Sequence, residues 1–319
     1  MKYLKRVLSI VLALAIISLP LIVWMQRQEL QDWYRLRDYT PPANVVALAD
    51  VTTMNEATRR LFYVNHPNVA DQATFNAACS QEASIVLGCY IPGKGIYLYN
   101  ITDARLDGVL QVTAAHETLH AAYERLSTKE REHIDALTAQ ALKSITNQRL
   151  LDTVEKYRSQ DPSVVPNELH SILGTEGRNL PPELETYYQR YFNNRAVLVN
   201  FSEQYENEFS KRQTQVADYD KQLEVTKQQI ESNKQELALQ YTALTAEKDR
   251  LDGLRVSGNI AEYNSGVSGF NSQVNSYNAL VKKTDSMITT YNKLVITRNN
   301  VAIEVQGLAK AIDSRPQNF

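Results

Sequence analysis

Apolar residues follow three different patterns along this chain. Val7 to Met25 (VLSIVLALAIISLPLIVWM) is an uninterrupted run of 19 residues without a charge. A helix crossing the hydrocarbon core needs about 20 apolar residues, so the run predicts an N-terminal transmembrane helix within residues 1–26. It ends without the small-x-small site of a cleaved signal peptide. Lys2, Lys5 and Arg6 precede it, and the charges that follow sum to zero. The positive side stays in the cytoplasm. The reading is a single-pass protein of the cell membrane, held through residues 7–25, with its N-terminus cytoplasmic and its bulk extracytoplasmic.

The second pattern is mixed. A polar linker, residues 27–42, ends at Pro41-Pro42. From 43 to 196, short periodic segments alternate with Gly and Pro punctuation. Residues 83–90 and 95–101 are β-rich runs on either side of Pro92-Gly93-Lys94-Gly95, which predicts a hairpin. Helical spacing follows at about 53–64, 106–126, 128–144, 147–158, 166–174 and 182–192. Ser127 and Glu130 form a capping box for one of these helices. A small sheet beside several helices is an α+β arrangement, here mainly helical.

The third pattern is a heptad. One arm repeats Phe209, Val216, Leu223, Ile230, Leu237, Leu244 and Leu251, beside a mostly polar column from Arg212 to Glu247. After Ser257-Gly258-Asn259 a second arm repeats Ile260, Val267, Val274, Val281, Ile288 and Val295. Its companion columns are Tyr263-Phe270-Tyr277-Thr284-Tyr291 and Asn264-Asn271-Asn278-Asp285-Asn292-Asn299. This period means a coiled coil. Two arms around one breaker predict an antiparallel hairpin over 197–313, turning near 256–261, with a tail at 314–319. The Asn column is placed near the seam, where it would fix register. The hairpin serves either as a rigid spacer or as a surface for self-association or a protein partner.

Composition narrows the function. A formal net charge of −2 with 22% charged residues argues against a nucleic-acid surface. The only two cysteines, Cys79 and Cys89, form a disulfide in an oxidising space or remain two buried thiols. No nucleotide-binding or Gly-x-Ser-x-Gly fingerprint occurs.

The chemical signal is His116-Glu117-Thr118-Leu119-His120. Residues four apart project from one helical face, so both imidazoles can reach a single Zn²⁺. Glu117 is the neighbouring carboxylate that can act as general base. The motif follows a candidate edge strand and is flanked by Ala114, Ala115, Ala121 and Ala122.

These residues resemble the H-E-x-x-H zinc metallopeptidases. Tyr123 and Leu126 stand where the metzincin extension requires Gly and His, and the spacing is similar to the gluzincin group. The resemblance covers about residues 84–176. It implies a small zinc-peptidase domain at 43–196 with one zinc, bound by His116, His120 and an acidic residue on a later helix. Glu168, in Pro166-Asn167-Glu168, is the first choice; Glu176 is the alternative and His170 a weaker one. It also implies Glu117 as catalytic base, with His170, Tyr123 or Tyr157 to stabilise an oxyanion. The expected activity is hydrolysis of peptide bonds in a peptide or protein substrate. The competing expectation is a cell-envelope scaffold or adhesion protein acting through its coiled coil, with an inactive or structural zinc fold.

Overall fold

The computed structural model describes residues 26–79 and 86–315. It divides into two compact units, Met1–Glu206 with Ala311–Phe319, and Asn207–Lys310.

The first unit contains helices α1 (Arg27–Leu36), α2 (Ala43–Val51), α3 (Glu56–Val64), α4 (Gln72–Cys79), α5 (Val109–Glu124), α6 (Thr128–Leu142), α7 (Gln148–Gln160), α8 (Val165–Thr175) and α9 (Pro182–Tyr188). Several begin where a side chain satisfies an orphan amide. Asn55 accepts from the Thr58 amide at 3.0 Å, and Asn147 accepts from that of Leu150 at 3.3 Å. The Ser127–Glu130 capping box forms as predicted. Pro166 lies in the first turn of α8, where no intrahelical donor is lost.

Strands β1 (Asn68–Ala70), β2 (Gly88–Ile91) and β3 (Gly95–Tyr99) form one sheet in the order β1-β3-β2. β1 runs parallel to β3, and β2 pairs antiparallel with β3 through the predicted hairpin. Gly93 and Gly95 take φ of 75° and 147° in its turn, a region costly for other residues. Opposite residues are Gly88 with Leu98 and Tyr90 with Ile96, and the Tyr99 amide donates to Leu87 O at 2.8 Å. Hydrogen-bonded and non-bonded pairs alternate along such a ladder. The backbone groups of Gly88 and Tyr90 therefore face the edge of β2 that no described strand pairs.

α5 is the central helix. Ala114, Ala115 and Leu119 are fully buried, and Ala121 and Ala122 nearly so. Small residues let its neighbours approach closely. A β-carbon on Gly174 of α8 would stand 2.4 Å from Leu119 Cδ1. Behind the C-terminal end of α5, Arg125 holds both oxygens of the buried Asp32 of α1 at 2.8 Å. The residues assigned to a tail are partly built in. Ser314 is buried, its hydroxyl donates to Val86 O at 2.6 Å, and Asn76 Nδ2 donates to Ser314 O at 2.7 Å.

The helix Ala196–Val256 (α10) starts in the first unit and continues into the second, where it pairs with α11 (Ile260–Ala311). Within that unit the pairing is antiparallel: Arg212 Nε donates to Glu304 at 2.9 Å, Arg298 Nε to Asp220 at 2.8 Å, and Tyr241 lies near Tyr277. Gly258 ends α10 with φ of 80°, and the Asn259 amide reaches back to Leu254 O at 3.0 Å, a Schellman cap. The two predicted columns of the first arm line the seam, and on the second arm the Tyr263 column faces inward. Asn264, Asn271, Asn278, Asn292 and Asn299 are exposed and lie outside the seam.

The expected fold class needs correction. The described residues are mainly helical, as expected, but their sheet is only three short strands, so the α+β description does not hold. Among the described residues no helix is long and apolar enough to cross a membrane. The first hairpin arm carries charges along its length, and the second, with no charge between Glu262 and Lys282, is lined there by Asn, Ser and Gly. The predicted anchor at residues 7–25 lies outside the described residues.

Candidate metal centre

α5 and α8 pack side by side and bring three donors together. His116 and His120 project from one face of α5, and Glu168 comes from the first turn of α8. His116 Nε2 and His120 Nε2 are 3.0 Å apart, and each lies 3.6 Å from an oxygen of Glu168. Donors around one tetrahedral zinc, each at about 2.0–2.1 Å, stand roughly 3.3 Å from one another. The spacing therefore fits a single ion. Glu168 Oε2 is buried without a hydrogen-bond partner, as a ligand oxygen would be in the absence of its ion. The residues His116, His120 and Glu168 could hold a metal ion.

Their surroundings orient them. Ser171 Oγ lies 3.3 Å from His120 Nδ1, which leaves Nε2 directed into the cluster. Burial opposes charge on His116, but the Glu168 carboxylate, with Glu117 and Glu176, outweighs it and pushes its pKa up to about 9. Burial, reinforced by His116, pushes His120 down to about 4. Glu168 stays ionised: burial works against its charge, and His116, His120 and Tyr157 overcome that.

The three donors open into a cleft of about 700 Å³. β2 forms one wall, with Gly88, Cys89 and Tyr90; Arg149, Thr153 and Tyr157 of α7 line the other. Glu117 lines it too and is only 5% exposed. Cys79 and Cys89 are joined by a disulfide, which ties α4 to β2.

Of the remaining candidates, the structure brings Tyr157 to the donors and not Glu176, His170 or Tyr123. Glu176 lies in the cleft but is engaged elsewhere: it pairs with Arg149 and accepts from Ser202 at 3.1 Å and Tyr205 at 3.2 Å. His170 is fully buried behind the site, outside the cleft lining, with Nε2 at 2.9 Å from the Tyr187 hydroxyl. Its ring packs among Tyr123, Tyr187, Tyr188 and Tyr191. Tyr123 reaches the cleft, but its hydroxyl donates to Asp135 at 2.9 Å. Tyr157 is the tyrosine beside Glu168.

Sequence reasoning missed the network of Arg149, Glu176, Glu206 and Tyr205 at one end of the cleft. No local pattern announces it, because its members come from α7, the end of α8 and α10. Comparison with protein-family models, curated proteins and solved structures finds no match for this chain.

Proposed function

We propose that this protein is a zinc-dependent hydrolase of peptide bonds, with Glu117 as general base. One observation carries the reading: His116, His120 and Glu168 converge, with Glu117 on the same helix beside the outer strand β2. Two imidazoles and one carboxylate suit zinc, which when bound supplies Lewis acidity and a more acidic water. His116 and His120 would each offer Nε2, and Glu168 an oxygen. Glu117 would take the proton from the attacking water and return it to the departing amine. The Tyr157 hydroxyl, which bonds Glu168, would help hold that ligand in place. A peptide lying antiparallel along β2 would exchange hydrogen bonds with the outward-facing groups of Gly88 and Tyr90. An oxidising compartment suits the Cys79–Cys89 bridge.

The test is metal content together with cleavage of an unstructured protein, in the native chain and in Glu117→Gln. We expect one zinc in both, and a loss of about 10²–10⁴-fold in turnover in the variant, the usual share of a general base. Zinc binding with no Glu117-dependent cleavage would overturn the hydrolase reading and leave a scaffold acting through its hairpin.

A further inference from the structure

Gly88 is the first residue of the edge strand and is buried against α5. Its backbone is not left-handed, so its conformation alone does not call for glycine. The space around it does. A β-carbon built at Gly88 would stand 2.5 Å from Thr113 Cγ2, 2.8 Å from Glu117 Cγ and 2.9 Å from Glu117 Oε1. Carbon atoms in contact normally sit about 3.5–4.0 Å apart. Gly93, in the adjacent turn, is different: it has positive φ and nothing within 4 Å of the added atom. A glycine inside a strand marks a close approach, and here two side chains approach: the Thr113 methyl, and just beyond it Glu117, read above as the general base.

We propose that Gly88 is a positioning residue: its missing side chain lets the edge strand rest directly on Glu117, which fixes the carboxylate relative to a peptide paired along that strand. Two facts join at this position. The N–H and C=O of Gly88 face the outer edge of β2, where an added chain would pair. The Glu117 side chain lies under the same residue and has little room to turn toward the strand. A peptide docked at Gly88 therefore has its backbone beside the proton acceptor. Any side chain here would move the strand, the Thr113 methyl or the carboxylate. The inference rests on the reading of Glu117 as base, but its geometric part can be tested separately.

The test uses the full chain in four forms: native, Gly88→Ala, Thr113→Ser and the double variant. Thr113→Ser removes the nearest obstructing methyl and keeps the hydroxyl, which donates to Val109 O at 2.8 Å. In the double variant the remaining close contact of the new methyl is with Glu117. Each form is assayed for bound zinc, kcat and KM, and, after cobalt substitution, for its visible absorption, with Glu117→Gln as the spectral reference. The double variant is expected to bind one zinc and to lose about ten- to a hundredfold in kcat relative to Thr113→Ser, the scale of an ångström-level misplacement. KM should change less. Its cobalt spectrum should move toward that of Glu117→Gln. A kcat within about twofold of Thr113→Ser, with a superimposable cobalt spectrum, would overturn the proposal. If even the native chain cleaves nothing, the hydrolase reading fails, and the cobalt comparison still decides whether Gly88 sets the position of Glu117.

Discussion

Replacing Glu168 by Gln separates the proposed ligand from its alternative. The substitution keeps the side chain's shape and removes the only carboxylate among the three converging donors. Loss of a group that merely orients a ligand costs about 10–100-fold in metal affinity. Loss of a charged ligand should exceed that, so about a thousandfold is a fair lower figure, or ~4 kcal/mol at 1.36 kcal/mol per decade. The consequence can be read as stability. At free zinc about 1,000 times the native Kd, binding adds about 4 kcal/mol to the folded state. At the same zinc concentration the variant is only about half saturated, and its gain falls to about 0.4 kcal/mol. For a unit of this size, each kcal/mol moves Tm by about 2–4 °C. Zinc should then raise Tm by about 8–16 °C in the native chain and by no more than about 2 °C in Glu168→Gln. Differential scanning calorimetry with and without zinc measures both, and the paired design cancels any effect of the substitution on the metal-free fold. Glu176→Gln should keep the full zinc-dependent rise, because Glu176 is already committed to Arg149, Ser202 and Tyr205. An undiminished rise in Glu168→Gln, or its loss in Glu176→Gln, would refute the assignment.

Two further predictions concern the fold around the site. His170 is pushed down to about 3 by burial and by the nearby His120 and His116. Between that value and about 6.5 the unfolded chain binds a proton that the folded chain does not, so its contribution is present above about 6.5 and lost as pH falls toward 3. His170→Gln should flatten the rise of metal-free stability with pH across that window; an unchanged slope in urea titrations would contradict it. His116, pushed up to about 9, acts in the opposite sense: its share is present below about 6.5 and lost as pH rises toward 9. Asp32→Ala leaves the Arg125 guanidinium without the carboxylate that holds two of its nitrogens. Because the freed Arg125 side chain is 28% exposed and can be rehydrated, the first unit should lose about 1–2 kcal/mol in urea unfolding, and no measurable loss would show that the pair matters little.

What could be read from residues alone depended on how local the cause was. The first arm of the hairpin was legible because its apolar column repeats every seven residues and only burial of that column explains the repeat. The Asn column repeats just as regularly, yet it faces solvent. A period identifies a face without saying which face is covered, and the aromatic column one position before it takes the seam. Glu168 was accessible through the resemblance to the gluzincin group, which implies an acidic ligand at the start of a later helix. Glu176 matches the same chemistry, but its role is set by Arg149 and Tyr205, which only the packing of separate helices brings near. His170 illustrates the same limit, since Tyr123 of α5 and three tyrosines at and just after α9 enclose it. β1 is three residues long and carries no periodic signal; it exists because β3 offers it an edge.

The central claim is that one ion is bound by His116, His120 and Glu168 together. Anomalous diffraction at the zinc edge, on crystals of the zinc-loaded chain, tests it directly. A single peak is expected within about 2.0–2.2 Å of both Nε2 atoms and of one Glu168 oxygen. Zinc held by other residues, or no peak between these three in the presence of excess zinc, would contradict it.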